Sequence, residues 1–381
     1  MTENNTIHTP LELYVHIPFC VKKCDYCDFL SGPATPQRQE AYIRALLSEI
    51  EAVSEGCDRD VVSVFIGGGT PSVLAPELIA QVLDNLIQRF HITPDAEITI
   101  EANPGTLHTE KLKAYREHGV NRLSLGLQSP DEQELKTLGR IHSYHEFLES
   151  FHLAREAGFT NINVDLMSAI PGQSYEQWIH NLRTVASLAP EHISAYSLIV
   201  EEGTPFAERT LDLPDEETEY RMYEDTARVL GEYGYSQYEI SNYAKPGYAC
   251  HHNIGYWKRV EYLGLGLGAA SLWENRRFSN TSNMEEYLQN SSQPHKIRRV
   301  ECMLSIEDQM AEFMFLGLRM TEGISKQEFA EAFGVSLEER YGAELEKFLK
   351  LSLLEDDGNR IWLTRRGIHV SNTVMAEFLP G

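Results

Sequence analysis

The sequence predicts an α/β protein: a partial (βα)6 barrel followed by a small C-terminal winged-helix-like domain. Two observations carry that expectation. Short, almost continuously apolar runs alternate with amphipathic helical stretches through residue 240, and glycines and polar residues gather where those runs end. Strands that are apolar on both faces, each followed by a helix, imply a parallel sheet. Functional groups at strand C-termini imply the rim of a barrel. A doubly wound open sheet is the competing arrangement.

The first run, residues 13–17 (LYVHI), precedes a helical pattern over 39–53. Residues 61–70 (VVSVFIGGGT) form a buried strand ending in glycines, and a helix follows over 77–90. The third strand (AEITIEANP, 96–104) leads to a helix over 110–118, and the fourth (NRLSLGLQS, 121–129) to helices over 131–138 and 144–157. The fifth (NINVDLMSAIPG, 161–172) and sixth (HISAYSLIV, 192–200) precede helices over 175–188 and 216–233. Residues 1–270 are thus expected to form the barrel. Asn, Ser, Arg and Gln dominate 275–294, so 271–304 is expected to be a linker. Residues 305–381 then predict three helices and a β-hairpin turning at Asp356-Asp357-Gly358-Asn359. That module has fewer basic than acidic residues, which favours an accessory packing role over DNA reading.

Lys and Arg number 33 against 57 Asp and Glu, a net charge of -24 in 381 residues. Such acidity disfavours nucleic acid and anionic lipid as partners. No apolar run approaches the roughly 20 residues of a membrane span, and the first ten residues lack the pattern of a secretory signal. A cytoplasmic protein is expected. In that reducing compartment the six cysteines do not read as disulfides. Three of them, Cys20, Cys24 and Cys27, fall within eight residues; Cys57 and Cys302 are expected in the core, and Cys250 stands beside two histidines.

The spacing Cys20-x3-Cys24-x2-Cys27 suits a [4Fe–4S] cubane, three thiolates each taking one iron and leaving the fourth open. A structural zinc site would need a fourth ligand, for which His16 is the near candidate. Asp28 follows Cys27 where covalent haem attachment would require His. The run Gly67-Gly68-Gly69-Thr70-Pro71 lets backbone N–H groups approach a ligand, and no Gly-Lys-Ser/Thr makes it a nucleotide loop. Glu101, Gln128, Arg140 and Asp165 stand at or beyond successive strands, each able to bind a polar ligand or to form a rim ion pair. Gly264-x-Gly266-x-Gly268 loosely resembles a dinucleotide fingerprint, with close backbone packing as the alternative.

The cysteine motif after a first strand, with aromatic Tyr26 inside it, resembles the radical S-adenosylmethionine (SAM) superfamily. The segments YVHIPFCVKKCDYC, FIGGGTPS, EANPGT, RLSLGLQS, LGRIH, NVDLM-x-x-IPGQ and HNIGYW occur in order. Together they resemble the family containing oxygen-independent coproporphyrinogen III oxidase and a related haem chaperone. The resemblance implies a [4Fe–4S] cluster on Cys20, Cys24 and Cys27 and SAM contacts from Tyr14, Gly68, Gly69, Thr70, Glu101, Gln128, Arg140 and Asp165. It also implies an electron donor for the cluster and leaves a homodimer open. Phe29 replaces the fourth cysteine of the oxidase motif, the segment before the cluster is short, and His252-Asn253-x-x-Tyr256-Trp257 matches the chaperone signature. These favour a chaperone that binds haem and passes it to acceptor haemoproteins, over radical decarboxylation of coproporphyrinogen or radical chemistry on another substrate. His252, then Cys250 and His251, are the candidate haem ligands; the competing reading has them capping the barrel.

Overall fold

The computed structural model describes residues 9–380. In chain order it runs β1 (Pro10–Ile17), α1 (Pro36–Ser54), β2 (Asp60–Gly68), α2 (Pro76–Arg89), β3 (His91–Ala102), α3 (Thr109–Glu117), β4 (Arg122–Gln128), α4 (Glu132–Thr137), α5 (Tyr144–Glu156) and β5 (Ile162–Ser168). It continues through α6 (Tyr175–Ala186), β6 (His192–Ser197), α7 (Glu216–Gly231), β7 (Ser236–Glu239), β8 (Asn242–Ala244), α8 (His251–Trp257), β9 (Glu261–Leu265), β10 (Ala270–Trp273) and β11 (Arg276–Asn280). The last elements are α9 (Met284–Asn290), α10 (Pro294–Ile297), β12 (Arg298–Met303), α11 (Ile306–Gly317), β13 (Ile324–Ser325), α12 (Lys326–Phe333), α13 (Leu337–Lys350), β14 (Leu354–Asp356), β15 (Arg360–Leu363), α14 (Arg365–His369) and α15 (Ser371–Ala376).

Two compact units interleave along the sequence. The first comprises Met1–Leu166, Leu198–Asp212 and Val260–Cys302, the second Met167–Ser197, Leu213–Arg259 and Met303–Gly381. In the first, parallel strands lie in the order β9-β1-β2-β3-β4-β5, and β10, β11 and β12 continue beyond β9. All seven residues of β4 are buried, as a parallel strand covered on both faces requires. In the second unit β6, β8 and β7 pair antiparallel, and a separate sheet orders β13-β15-β14. The strands of neither unit close into a ring, so the α/β expectation holds as an open, mostly parallel sheet. The expected hairpin is β14–β15, its turn held by Asp357 Oδ1 accepting from the N–H groups of Asn359 and Arg360. Phe329, Leu337, Tyr341, Phe348, Ile361 and Phe378 form the core of that C-terminal module.

Two expectations fail. The stretch 271–304, read as a linker, carries β10 from Ser271 on, β11, α9, α10 and β12. Its polarity reflects a flanking position: β11 buries only Phe278 and Asn280 of its five residues. Cys57 is half-buried and Cys302 exposed, so neither belongs to the core. Cys57 lies in the connection after α1, and Cys302 on β12 where the chain leaves the first unit.

The three spaced glycines, Gly264 within β9 and Gly266 and Gly268 after it, serve packing rather than a dinucleotide. Gly266 has φ +102, and a Cβ there would stand 2.6 Å from the Tyr42 hydroxyl and 2.7 Å from the His16 carbonyl oxygen. Its N–H donates to buried Glu49 at 2.9 Å, which also accepts from Asn280 Nδ2 at 2.6 Å and the Tyr287 hydroxyl at 2.5 Å. Tyr42 in turn donates to the His16 carbonyl at 2.7 Å and accepts from the Leu267 N–H at 3.0 Å. This network ties α1, β9–β11 and α9 to the end of β1.

Burial pushes the Glu49 carboxyl up to about 7, against the opposing pull of its three donors. Burial likewise raises Glu12 to about 9 and Glu101 to about 8. Because each folded value lies above the unfolded one near 4.5, the stabilising contribution is complete below that pH and is lost as pH rises through the folded value. Each group contributes a slope of at most about 1.4 kcal/mol per pH unit. Stability measured by denaturant unfolding should therefore fall from pH 5 to 7, and Glu49→Gln should flatten that fall. An unchanged slope would show that Glu49 is ionised in the folded protein.

Candidate functional site

The cysteines occupy the loop between β1 and α1. The loop is closed at its base by the Cys20 N–H donating to the Gly32 carbonyl and the Gly32 N–H to the Pro18 carbonyl, both at 3.1 Å. A turn joins the Cys27 N–H to the Cys24 carbonyl at 3.2 Å. The Asp25 backbone is held from two sides, its N–H by the Leu138 carbonyl at 3.2 Å and its carbonyl by the Phe206 N–H at 3.0 Å. Asp25 also pairs with Arg209 at 2.7 Å.

Cys20 is buried, while Cys24 and Cys27 are half-buried. Burial pushes the Cys20 and Cys27 thiols up, and the neighbouring Cys24 sulfur adds to both shifts. Donors oppose that rise: the Ser31 hydroxyl at Cys20 and the Phe29 N–H at Cys27. Arg140 Nη1 donates to Cys24 Sγ at 3.5 Å. Three thiols in mutual electrostatic contact, each supplied with a donor, fit a cluster that requires all three as thiolates. Among the described residues no three His, Cys, Asp or Glu side chains form a single-ion cage. His16, the fourth ligand a zinc site would have needed, is engaged at both nitrogens, by the Tyr14 hydroxyl at 3.0 Å and the Leu30 carbonyl at 2.9 Å.

The glycine turn lies against this loop. The Gly69 N–H donates to the Ile17 carbonyl at 2.9 Å and the Thr70 N–H to the Phe19 carbonyl at 2.7 Å. A Cβ on Gly69 would meet that Phe19 carbonyl at 2.6 Å, and one on Gly68, at φ +111, would meet the His16 ring at 2.6 Å. No side chain fits either place. The Gly68 N–H donates to Glu101 Oε2 at 3.1 Å. Glu101 is raised first by burial and then by Asp165, which places the two carboxyls in one field. Asp165 accepts from Asn163 Nδ2 at 2.8 Å.

Gln128 ends β4 at a register irregularity and has φ +75, a strained conformation for a residue with a side chain. Tyr14 stacks on Phe65 across the β1–β2 pair, its hydroxyl held un-ionised by burial and by Glu101. The Tyr26 phenol is raised by burial and shares the surroundings of Arg140, Cys24, Cys27 and Asp165.

A narrow recess opens beside Cys24, lined among others by Thr70, Asn103 and Arg140. A hydrogen-bond relay crosses it: Asn103 Nδ2 donates to Thr70 Oγ1 and Arg140 Nη2 to Asn103 Oδ1, both at 2.8 Å. Of the sequence-derived set, Cys24, Thr70 and Arg140 line this cleft, whereas Tyr14, Gly68, Gly69, Glu101, Gln128 and Asp165 do not. Asn103 was missed as a candidate although it sits in the EANPGT segment; a lone Asn after a strand reads as a turn residue.

In the second unit Cys250 has no exposed surface and His252 is buried with its ring edge-on to Tyr256, while His251 is exposed. Trp257 stacks under the Arg319 guanidinium at 4.2 Å, and Arg259 pairs with Glu312 at 2.8 Å. The end of the HNIGYW segment thus docks on the C-terminal module.

Residues 14–185 match the Radical SAM superfamily and residues 304–370 the HemN C-terminal domain. Heme chaperone HemW of Bacillus subtilis is 38% identical over 372 residues, covering 96% of this chain and 98% of that protein. The chain belongs to the HemW family of the radical SAM superfamily. HemW of Lactococcus lactis is 36% identical over 377 residues, 98% of each chain, and HemW of Escherichia coli 36% identical over 381 residues, covering 97% and 98%. Coproporphyrinogen III oxidase (HemN) of Escherichia coli, a radical SAM enzyme, shares the fold, with TM-score 0.85 at 24% identity over 98% of this chain and 91% of that one.

Membership in the HemW family directs the first test at the loop. Alanine at Cys20, Cys24 or Cys27 should abolish the brown chromophore of the anaerobically reconstituted protein, whereas Cys57→Ala and Cys302→Ala should retain it. Loss of colour in Cys302→Ala would contradict the ligand assignment.

Proposed function

We propose that this protein is a haem carrier: it binds haem and delivers it to acceptor haemoproteins, with a [4Fe–4S] cluster and SAM supporting its competent state. Full-length similarity to curated HemW proteins carries the reading. Phe29, exposed at the position where the oxidase motif has a fourth cysteine, supports it. Cys20, Cys24 and Cys27 would hold the cluster. When bound, the cluster supplies one electron at a time and an open iron for the SAM amino and carboxylate groups.

The chain's own residues prepare that site. Arg140 places its guanidinium at Cys24 Sγ and at Asn103, on the lining of the cleft. Gly68, Gly69 and Thr70 bring backbone close to a ligand without side-chain obstruction. Glu101, held toward its neutral form by burial and by Asp165, would accept from an ammonium once ionised, and Asp165, Gln128 and Tyr14 complete the polar set. His252 and His251 on α8, with Cys250 at its N-cap, are the candidate haem ligands; of the three only His251 is exposed.

Among the described residues no helix is long and apolar enough to cross a membrane. We place the protein in the cytoplasm, with a one-electron donor and haemoproteins as its partners.

Reconstituted protein supplied anaerobically with SAM, a reductant and coproporphyrinogen III should form no protoporphyrinogen. Its formation would identify the protein as an oxidase and overturn the carrier reading.

A further inference from the structure

One side chain outside the cysteine motif is built into the structure from every side. Asn103 follows the last residue of β3 and is fixed at four points. Its N–H donates to Ser72 Oγ at 3.2 Å, and its carbonyl accepts from the Thr106 hydroxyl at 2.6 Å. Its Nδ2 donates to Thr70 Oγ1 and its Oδ1 accepts from Arg140 Nη2, both at 2.8 Å. The turn that carries it is anchored by Lys111, a buried lysine. Lys111 Nζ donates to the Ser72 carbonyl at 2.6 Å and to the Thr106 carbonyl at 3.0 Å, and the Ser72 and Thr106 hydroxyls are themselves joined at 2.6 Å.

Arg140 is clamped in turn. Its Nη2 donates both to Asn103 Oδ1 and to the Gly126 carbonyl, the latter at 2.5 Å, while Nη1 reaches Cys24 Sγ at 3.5 Å. A guanidinium is a rigid planar fork, so two acceptors on Nη2 determine where Nη1 points. Gly126 is an independent sign of the same clamp. It stands inside β4, where a glycine weakens a strand, and its φ lies outside the left-handed region. A Cβ there would stand 2.8 Å from Asn103 Oδ1, 3.3 Å from Gln128 Nε2 and 3.5 Å from Arg140 Nη2. Space for those side chains, rather than backbone conformation, is what requires the glycine.

Reduction adds one electron, and so one negative charge, to a cluster held by Cys20, Cys24 and Cys27. A charged donor on a ligand sulfur stabilises that form and raises the reduction potential. We propose that Asn103 is a positioning residue for electron uptake: by clamping Arg140 on Cys24 Sγ it holds the cluster's reduction potential above the value the three thiolates alone would set. The proposal rests on the cluster reading above and adds to it a residue that touches none of the three cysteines' sulfur atoms itself but governs the group that does.

The test is an EPR-monitored redox titration with dithionite and mediators, in the absence of SAM. It compares cluster-reconstituted wild type, Asn103→Leu, Gly126→Ala, Arg140→Gln and the double variant Asn103→Leu/Arg140→Gln. All three single variants should move the midpoint to more negative potential at unchanged iron and sulfide content. The double variant should lie where Arg140→Gln alone lies, because Asn103 acts only through that guanidinium. A further shift in the double variant would overturn the proposal, and so would a wild-type midpoint in any of the three single variants. If Asn103→Leu fails to retain a cluster, Gly126→Ala, which keeps every bonding group in the sequence, decides by the same criterion. A wild-type protein that takes up no iron and gives no EPR signal on reduction would remove the cluster reading and this proposal together.

Discussion

The site depends on one backbone seam. Where β1 and β2 end side by side, the Gly69 N–H bonds the Ile17 carbonyl and the Thr70 N–H bonds the Phe19 carbonyl. These two bonds fasten the start of the cysteine loop to the glycine turn, so that the three cysteines and the glycine backbone share one footing. The approach is close enough that the Phe19 carbonyl occupies the place of a Gly69 side chain. Behind it, Tyr42 holds the His16 carbonyl and Glu49 gathers Gly266, Asn280 and Tyr287. The seam is thereby braced from α1 and from the strands that return late in the chain.

Charge is distributed against the average of the molecule. A chain of net charge -24 places Arg140 at Cys24, with Lys22 lining the same cleft, so two cations stand beside the cysteine loop. It keeps Glu12, Glu49 and Glu101 buried, where desolvation holds their carboxyls toward the neutral form. Bulk acidity thus describes the solvent-facing surface and the response to polyanions. It does not describe the cleft, whose chemistry is set by a few oriented groups in a low dielectric.

The local parts of this site were legible in the sequence. Cys20, Cys24 and Cys27 and the run of glycines from Gly67 to Gly69 are encoded by spacing within one loop and one strand end. The order of the first five strands followed from their alternation with helices. The position of β9 against β1 was not legible, because that pairing joins Glu261–Leu265 to a strand some 250 residues earlier. The glycines of the loose fingerprint are packing positions: the Ala270 carbonyl lies against Gly264, the Tyr42 hydroxyl and His16 carbonyl against Gly266, and the Leu30 side chain against Gly268. The strand β11 and helix α9 were hidden by polar composition, since a flanking strand needs only two buried residues. Asn103 lies within the EANPGT segment but acquires its role only from a partner distant in sequence, Arg140.

The central claim is that a radical-SAM scaffold here handles haem as cargo. Its most direct test is equilibrium titration of haem into the anaerobic, cluster-loaded protein, read at the Soret band and by the stoichiometry of saturation. The expected result is a shifted Soret band that saturates at one haem per chain. A spectrum that remains the sum of free haem and protein at every ratio would contradict it.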